Sequence, residues 1–162
     1  MPRHEARSEL AYRQEQLFDL AADVECYPEF LPWWIAARVL KREGNVYFSD
    51  QIVGFGLFRE RFGSKTVLQR PDRIDVSSTD GVFRNFELTW RFDPLPGNGC
   101  RVSLLVDLEL RSSLVQNLFH RVILRSIATI MSAFEARAHQ LHDPPLRPGS
   151  TPGNSGSGEP VV

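Results

Sequence analysis

The stretch SLVQNLFHRVILRSIATIMSAFEARAHQL, residues 113–141, decides how the rest of the chain is read. It holds neither proline nor glycine, and Leu114, Leu118, Phe119, Val122, Ile123, Ile127, Ile130, Met131, Phe134, Ala138 and Leu141 return every three or four residues. That period predicts one long helix with a broad apolar face. At a rise of about 1.5 Å per residue it would run about 42 Å, and so long a stripe needs a large surface to cover it. The upstream sequence supplies one, because nearly everything between Trp34 and Glu109 alternates at strand period. The expected class is α+β, with a curved antiparallel sheet of about seven strands around the C-terminal helix.

Reading back from the helix, Val102, Leu104, Val106 and Leu108 alternate within Cys100–Glu109. Phe86, Leu88, Trp90 and Phe92 share one face against Glu87, Thr89 and Arg91, the clearest half-buried strand in the chain. Arg73–Thr79, Arg59–Leu68, Val46–Val53 and Ile35–Arg42 complete six strands, with turns at Gly44-Asn45, Pro71-Asp72 and Asp80-Gly81. Asp93–Gly99 reads as a loop rich in Pro and Gly. Ala6, Ser8 and Leu10 share one parity and add an edge strand at the N-terminus. Two short helices follow it, one over Gln14–Ala21 and a second capped by Asp23 and ending before Pro28.

A chain of 162 residues makes one domain with a sizeable core, placed at 1–143. Residues 144–162 intersperse Pro144, Pro145, Pro148, Pro152 and Pro160 with Gly and Ser and read as a disordered tail. The net charge of -1 and the dispersal of the 19 Lys and Arg give no nucleic-acid footprint, so DNA is not an expected partner. Asp19, Asp23, Glu25 and Glu29 form an acidic patch, and Arg121, Arg125 and Arg137 lie along the polar side of the helix. Cys26 and Cys100 allow at most a single bridge. No secretory h-region and no apolar run of about 18 residues is present, which points to the cytoplasm, with peripheral attachment to the inner face of the cytoplasmic membrane left open.

Catalytic constellations are hard to find. His4, His120, His139 and His142 form no short ligand motif with cysteine, and no phosphate loop, nucleophile elbow or His-Glu-x-x-His occurs. Asp107 and Glu109 share a strand face and read as exposed outer-face carboxylates. The expectation is a protein that is not an enzyme, needs no cofactor and binds no metal. What stands out instead is Tyr27-Pro28-Glu29-Phe30-Leu31-Pro32-Trp33-Trp34. Two prolines stiffen this corner while it carries five large side chains. Tyr27, Phe30, Leu31, Trp33 and Trp34 either plug the end of the core or line a ligand mouth, where indole and phenol suit mixed polarity. Gly54-Phe55-Gly56-Leu57-Phe58 reads as an apolar loop that packs on the helix or forms a flap, with Phe55 as its candidate contact. Ser64 or Thr66, a hydroxyl among apolar neighbours, could orient a carbonyl.

Asp23-Val24-Glu25 with the Tyr-Pro-Glu-Phe-Leu-Pro-Trp run, Arg59-Glu60-x-Phe62-x-Ser64, Asp80-Gly81-x-Phe83, Trp90-x-Phe92 and Ala133-Phe134-Glu135-x-Arg137-Ala138 together resemble one family over Glu5–Leu141. It is the coenzyme-Q-binding branch of the START-like, polyketide-cyclase-type superfamily, which also includes bacterial ribosome-association toxins. The resemblance implies a helix-grip fold and noncatalytic binding, chaperoning or transfer of ubiquinone or a related polyprenyl lipid, in support of respiration and quinone biosynthesis. It places Tyr27, Pro28, Phe30, Leu31, Pro32 and Trp33 at the mouth and Phe62, Trp90, Phe92 and Phe134 toward the cavity. Ile127 and Met131, on the apolar face of the helix, complete the candidate ligand-binding set. Trp34 stands where the family usually has Cys, and Val82 where Pro commonly follows Asp-Gly, which would narrow the mouth and loosen a turn.

Partners implied are a hydrophobic lipid and transient contact with a membrane surface or quinone-biosynthesis proteins. The same family implies a second reading, a ribosome-associated protein that interferes with subunit joining. A weaker third is a cyclase or hydrolase acting on an apolar substrate in the cavity.

Overall fold

The computed structural model describes residues 3–143, with only the backbone of Phe55, Phe58 and residues 118–124. β1 (Arg3–Leu10) is followed by α1 (Gln14–Ala22), a 3-10 turn over Val24–Cys26 and α2 (Tyr27–Phe30). β2 (Trp34–Glu43), β3 (Val46–Phe55), β4 (Phe58–Gln69), β5 (Arg73–Ser78), β6 (Phe83–Leu95) and β7 (Gly99–Leu110) lead into α3 (Ser113–His142). The seven strands form one antiparallel sheet in the order β1-β7-β6-β5-β4-β3-β2. Hairpins connect β2 through β7 in sequence, and β1 returns to pair with β7.

α3 has the length that its apolar period requires. Ser112 Oγ accepts the Val115 amide at 3.3 Å, a normal N-cap. Gln116 then clamps the first turn to the end of β7, its Oε1 accepting the Leu110 amide at 2.6 Å and its Nε2 donating to the Leu108 carbonyl at 3.3 Å. Downstream, Ile127, Ile130, Met131, Phe134 and Ala138 are all buried against the sheet and α1. The helix backbone lies closest to β1, β7 and α2. At its far end the Tyr12 hydroxyl donates to Asp143 and is tied to His139 Nδ1, which fastens the start of α1 to the last turn of α3.

Several local expectations are corrected. Pro28 does not end a helix: it occupies the first turn of α2, where a missing amide proton costs nothing and the fixed φ suits the helix. Asp23 caps with no side-chain hydrogen bond and instead accepts the Cys26 thiol at 2.9 Å. Residues 54–58 are not a long loop, because β3 and β4 run to Phe55 and Phe58 around a tight Gly56-Leu57 turn, with Gly56 at φ +60°. β6 likewise extends to Leu95, which shortens the Pro/Gly loop to residues 96–98. Cys26 and Cys100 are free thiols. Val82 does not loosen its turn: Asp80 accepts the Gly63 amide at 2.8 Å, and Arg111 donates to the Gly81 and Thr79 carbonyls at 3.0 and 2.7 Å. Asp107 and Glu109 are half-buried rather than exposed, with Glu109 3.3 Å from Arg84. The tail at 144–162 and the side chain of His120 lie outside the described residues.

β2 is one edge of the sheet, partly covered by the 3-10 turn and α2, and its Val39 amide donates to Glu25 at 3.3 Å. Its pairing with β3 is interrupted twice, between Trp34 and Ala36 and between Val39 and Lys41. It carries Arg38, Lys41 and Arg42 along its length.

Candidate functional site

Pairing and parity divide the inner face of the sheet into two unlike halves. On β5 to β7 the inward residues are Ile74, Leu88, Trp90, Phe92, Val102 and Leu104, all buried. Trp90 lies between Phe134 of α3, 4.8 Å away centroid to centroid, and Phe92, stacked at 6.4 Å. Phe18 of α1 meets Phe92 edge-on at 5.7 Å. The candidate residues Trp90, Phe92, Ile127, Met131 and Phe134 therefore form solid core with α1 and α3. The Trp90 indole N–H sits beside the Tyr27 hydroxyl but makes no hydrogen bond of normal geometry.

On β3 and β4 the inward positions carry hydrogen-bonding groups. The register sets Tyr47 opposite Thr66, Ser49 opposite Ser64 and Gln51 opposite Phe62, and all six side chains are buried. Ser49 Oγ and Ser64 Oγ are 2.9 Å apart. Gln51 Nε2 donates to Ser64 Oγ at 2.7 Å and, more weakly, to Ser49 Oγ at 3.4 Å. Gln51 Oε1 accepts the indole N–H of Trp34 at 2.8 Å. An indole nitrogen can only donate, so the amide oxygen must face Trp34 and the amide protons must face the serines. The Tyr47 hydroxyl donates to the Ala22 carbonyl at 2.9 Å, and Thr66 Oγ1 next to it has no hydrogen bond of normal geometry. Phe62 turns away from this cluster, packing edge-on with Phe83 at 5.0 Å and against Phe86 at 5.8 Å.

The proline-bounded corner reaches this polar half. Tyr27, buried, meets Phe30 at 6.0 Å and Trp34 at 5.9 Å, both edge-on, and its hydroxyl donates to the Ala21 carbonyl. Leu31 is also buried, which places Tyr27 and Leu31 inside the corner rather than on an opening. Phe30 is half-buried beneath the Arg137 guanidinium, 5.6 Å from the ring centre, and Arg137 pairs with Glu29 at 2.8 Å. Trp33 is half-buried and holds φ at +70°, a left-handed conformation that a bulky L-residue rarely adopts. Its carbonyl accepts the Gly54 amide at 2.8 Å and so joins the corner to the end of β3. Beyond that end Leu57 projects from the hairpin tip at 102% relative exposure. The side chain of the last candidate, Phe55, lies outside the described residues.

Thus Gln51 links Trp34 to Ser64, Tyr27 adjoins Trp34 and carries Phe30 beside it, and Phe62 and the Trp90 group belong to separate clusters. Ser49, Gln51 and Tyr47 were missed by the sequence reading. The signal was available, because polar residues at Ser49 and Gln51 share the parity of Tyr47 and Val53 in an otherwise regular strand. Burial pushes Tyr27 and Tyr47 up from the ordinary phenol value and Cys100 up to about 11, so each stays neutral across physiological pH. Two hollows lie elsewhere. A trough of about 260 Å³ on the outer face involves Arg73, Arg91, Glu87 and Asp107, and a cleft of about 300 Å³ involves Asp19, Asp23, Cys26 and Leu141. Neither is lined by the corner aromatics or by the polar cluster.

Residues 10–135 match the family described as polyketide cyclase / dehydrase and lipid transport. The chain is 32% identical over 143 residues to the ribosome association toxin RatA of Pseudomonas aeruginosa, covering 88% of this chain and 99% of that protein. It is 29% identical over 137 residues to the mitochondrial coenzyme Q-binding protein COQ10 homolog B of Xenopus laevis, covering 82% of this chain and 56% of that protein. A START superfamily protein from Mycobacterium smegmatis superposes with a TM-score of 0.72 at 18% identity, over 86% of this chain and 98% of that one, which shows a shared fold. The chain belongs to the polyketide cyclase / dehydrase and lipid transport family and has its START-like architecture.

Proposed function

We propose that this member of the lipid-transport family is a noncatalytic carrier that holds ubiquinone or a similar polyprenyl lipid against the inner face of β2 to β4. The observation that carries the reading is the division of that face. The half under the second part of α3 is solid core, while the half beside the aromatic corner is walled by Tyr27, Phe30 and Trp34 and closed by a backbone strained at Trp33. Strain of this kind persists only where the surrounding structure over-determines it and clusters at ligand clamps and switch regions, and here it lies between α2 and the edge strand. An isoprenoid tail entering there would contribute roughly 0.8 kcal/mol for each methylene buried. Exposed Leu57, with the exposed Arg59 just beyond it, suits brief contact with an anionic lipid surface.

Native mass spectrometry of protein gently purified from a quinone-producing host tests the reading. A bound mass that extracts as a polyprenyl quinone is the expected result. Protein that carries no lipid, and shows no tryptophan fluorescence change when a short-chain quinone is added, would overturn it.

A second reading, ribosome association, is favoured by the name of the Pseudomonas relative. The described surface gives it less support, because Arg7, Arg61, Arg70, Arg73, Arg84, Arg101 and Arg137 each sit in an ion pair with a carboxylate. Cations neutralised in this way displace few counterions from RNA. Co-sedimentation with ribosomal subunits at low salt would favour this reading over the carrier.

A further inference from the structure

Among the hydrogen bonds of the described residues, the polar cluster on β3 and β4 leaves one proton without an acceptor. Its donors are the Trp34 indole N–H, the two amide protons of Gln51 and the hydroxyls of Ser49 and Ser64. The indole proton goes to Gln51 Oε1, the two amide protons go to Ser64 and Ser49, and one hydroxyl proton bridges the serines. The remaining hydroxyl proton has no acceptor among the hydrogen bonds of the described residues. Ser49, Gln51 and Ser64 are 1%, 3% and 6% exposed, so bulk water does not satisfy it, and a buried unmet donor is costly.

We propose that Ser49 and Ser64, oriented by Gln51, form a donor subsite for a neutral carbonyl oxygen, so that the bound lipid is headed by a quinone, ketone or ester. This rests on the carrier reading above and adds the chemistry of the head group to it. The subsite excludes other head groups by charge and by proton count. No cationic side chain among the described residues hydrogen-bonds to the cluster. Arg61 is committed to Asp50 on the opposite face, and Arg42 lies 5.0 Å over the Tyr47 ring, so a phosphate or carboxylate would be buried without a counter-charge. An amine would add further donors to a site that already has a surplus. A carbonyl oxygen accepts without donating and fits the deficit.

The test compares a ubiquinone bearing a ten-carbon tail with decylbenzene, which has the same tail and no carbonyl, by calorimetric titration of the full chain. The wild type is expected to bind the quinone roughly 5- to 10-fold more tightly, the worth of about one buried hydrogen bond. The Ser49→Ala/Ser64→Ala double variant should keep its decylbenzene affinity and lose the preference. Ser64→Thr, which retains a hydroxyl and suits a strand, should keep the preference and controls for folding. Equal affinities in the wild type would mean that the hydroxyls hold an ordered water only, and would overturn the subsite while leaving the carrier intact. A preference that survives in the double variant would overturn it as well. Binding of neither ligand would overturn the carrier reading itself, and the subsite with it.

Discussion

The two halves of the inner sheet face are built from the same strand geometry and filled by opposite rules. From β5 to β7 every inward side chain under Phe134 and Ala138 is apolar or aromatic, and rings meet rings at 4.8 to 6.4 Å. On β3 and β4 the inward positions hold two serines, a threonine, a glutamine and a tyrosine beside Phe62, all buried, next to a corner whose backbone is strained. The first arrangement maximises dispersion and the area removed from water. The second forgoes part of that gain for groups that must be hydrogen-bonded. On the carrier reading proposed above, stability is concentrated at one end of the grip and recognition at the other.

Substitutions at the two ends test this division. Phe134→Ala should cost about 3–5 kcal/mol, because it leaves a cavity against Trp90 that the surrounding sheet cannot close. Chemical denaturation would measure it, and a loss below about 1 kcal/mol would mean that the solid half is not the anchor. At the polar end, Gln51→Ala removes the acceptor of the Trp34 indole and should cost about 1–3 kcal/mol. Its Trp34→Phe partner removes the donor too, so the double variant should lose less than the sum of the single changes.

Smaller effects sharpen the contrast at the corner. If Trp33 is strained, Trp33→Gly should be more stable than Trp33→Ala by about 1 kcal/mol, the reverse of the order at an ordinary position. Asp80 supplies the smallest effect and a pH signature. The Gly63 and Gly81 amides hold its carboxyl below the ordinary 3.8, so the anion favours the folded state. That contribution is complete above the unfolded value and is lost as pH falls through the depressed folded value. Thermal melts of wild type and Asp80→Asn should therefore differ by a constant amount near neutrality and converge in acid.

The helix and the strand pattern were legible because each rests on periodicity over many residues. Ile127 through Ala138 has only one way to bury its stripe, although Leu114 and Leu141 at the ends of the expected face stay exposed, and Phe86, Leu88, Trp90 and Phe92 have only one inward parity. What could not be read was set by contacts distant in sequence. Pro28 looks like a helix stop until the chain is seen to begin a helix there. The Trp34–Gln51 hydrogen bond spans a hairpin, and the Ser49–Ser64 contact depends on the β3–β4 register, which the Gly56-Leu57 turn fixes. The resemblance divides the aromatic residues into a mouth and a cavity wall, but it does not tell packing from hydrogen bonding. Trp90 and Phe134 share a core contact, whereas Trp34 turns its indole to an amide, and sequence type alone does not separate those uses. Ser64 was singled out, but its partners Ser49 and Gln51 were not, since polar residues at core parity are conspicuous only once the facing strand is known.

The irregular outer strand of the sheet gains significance from this division. A carrier that opens beside β2 would momentarily bare a ladder of amides and carbonyls, the template on which proteins coalesce into fibrils. The two interruptions in β2, the charged side chains Arg38, Lys41 and Arg42, and the Val39 amide already held by Glu25 make that rim a poor template. On the carrier reading, protection from aggregation lies at the side of the molecule that would have most reason to loosen.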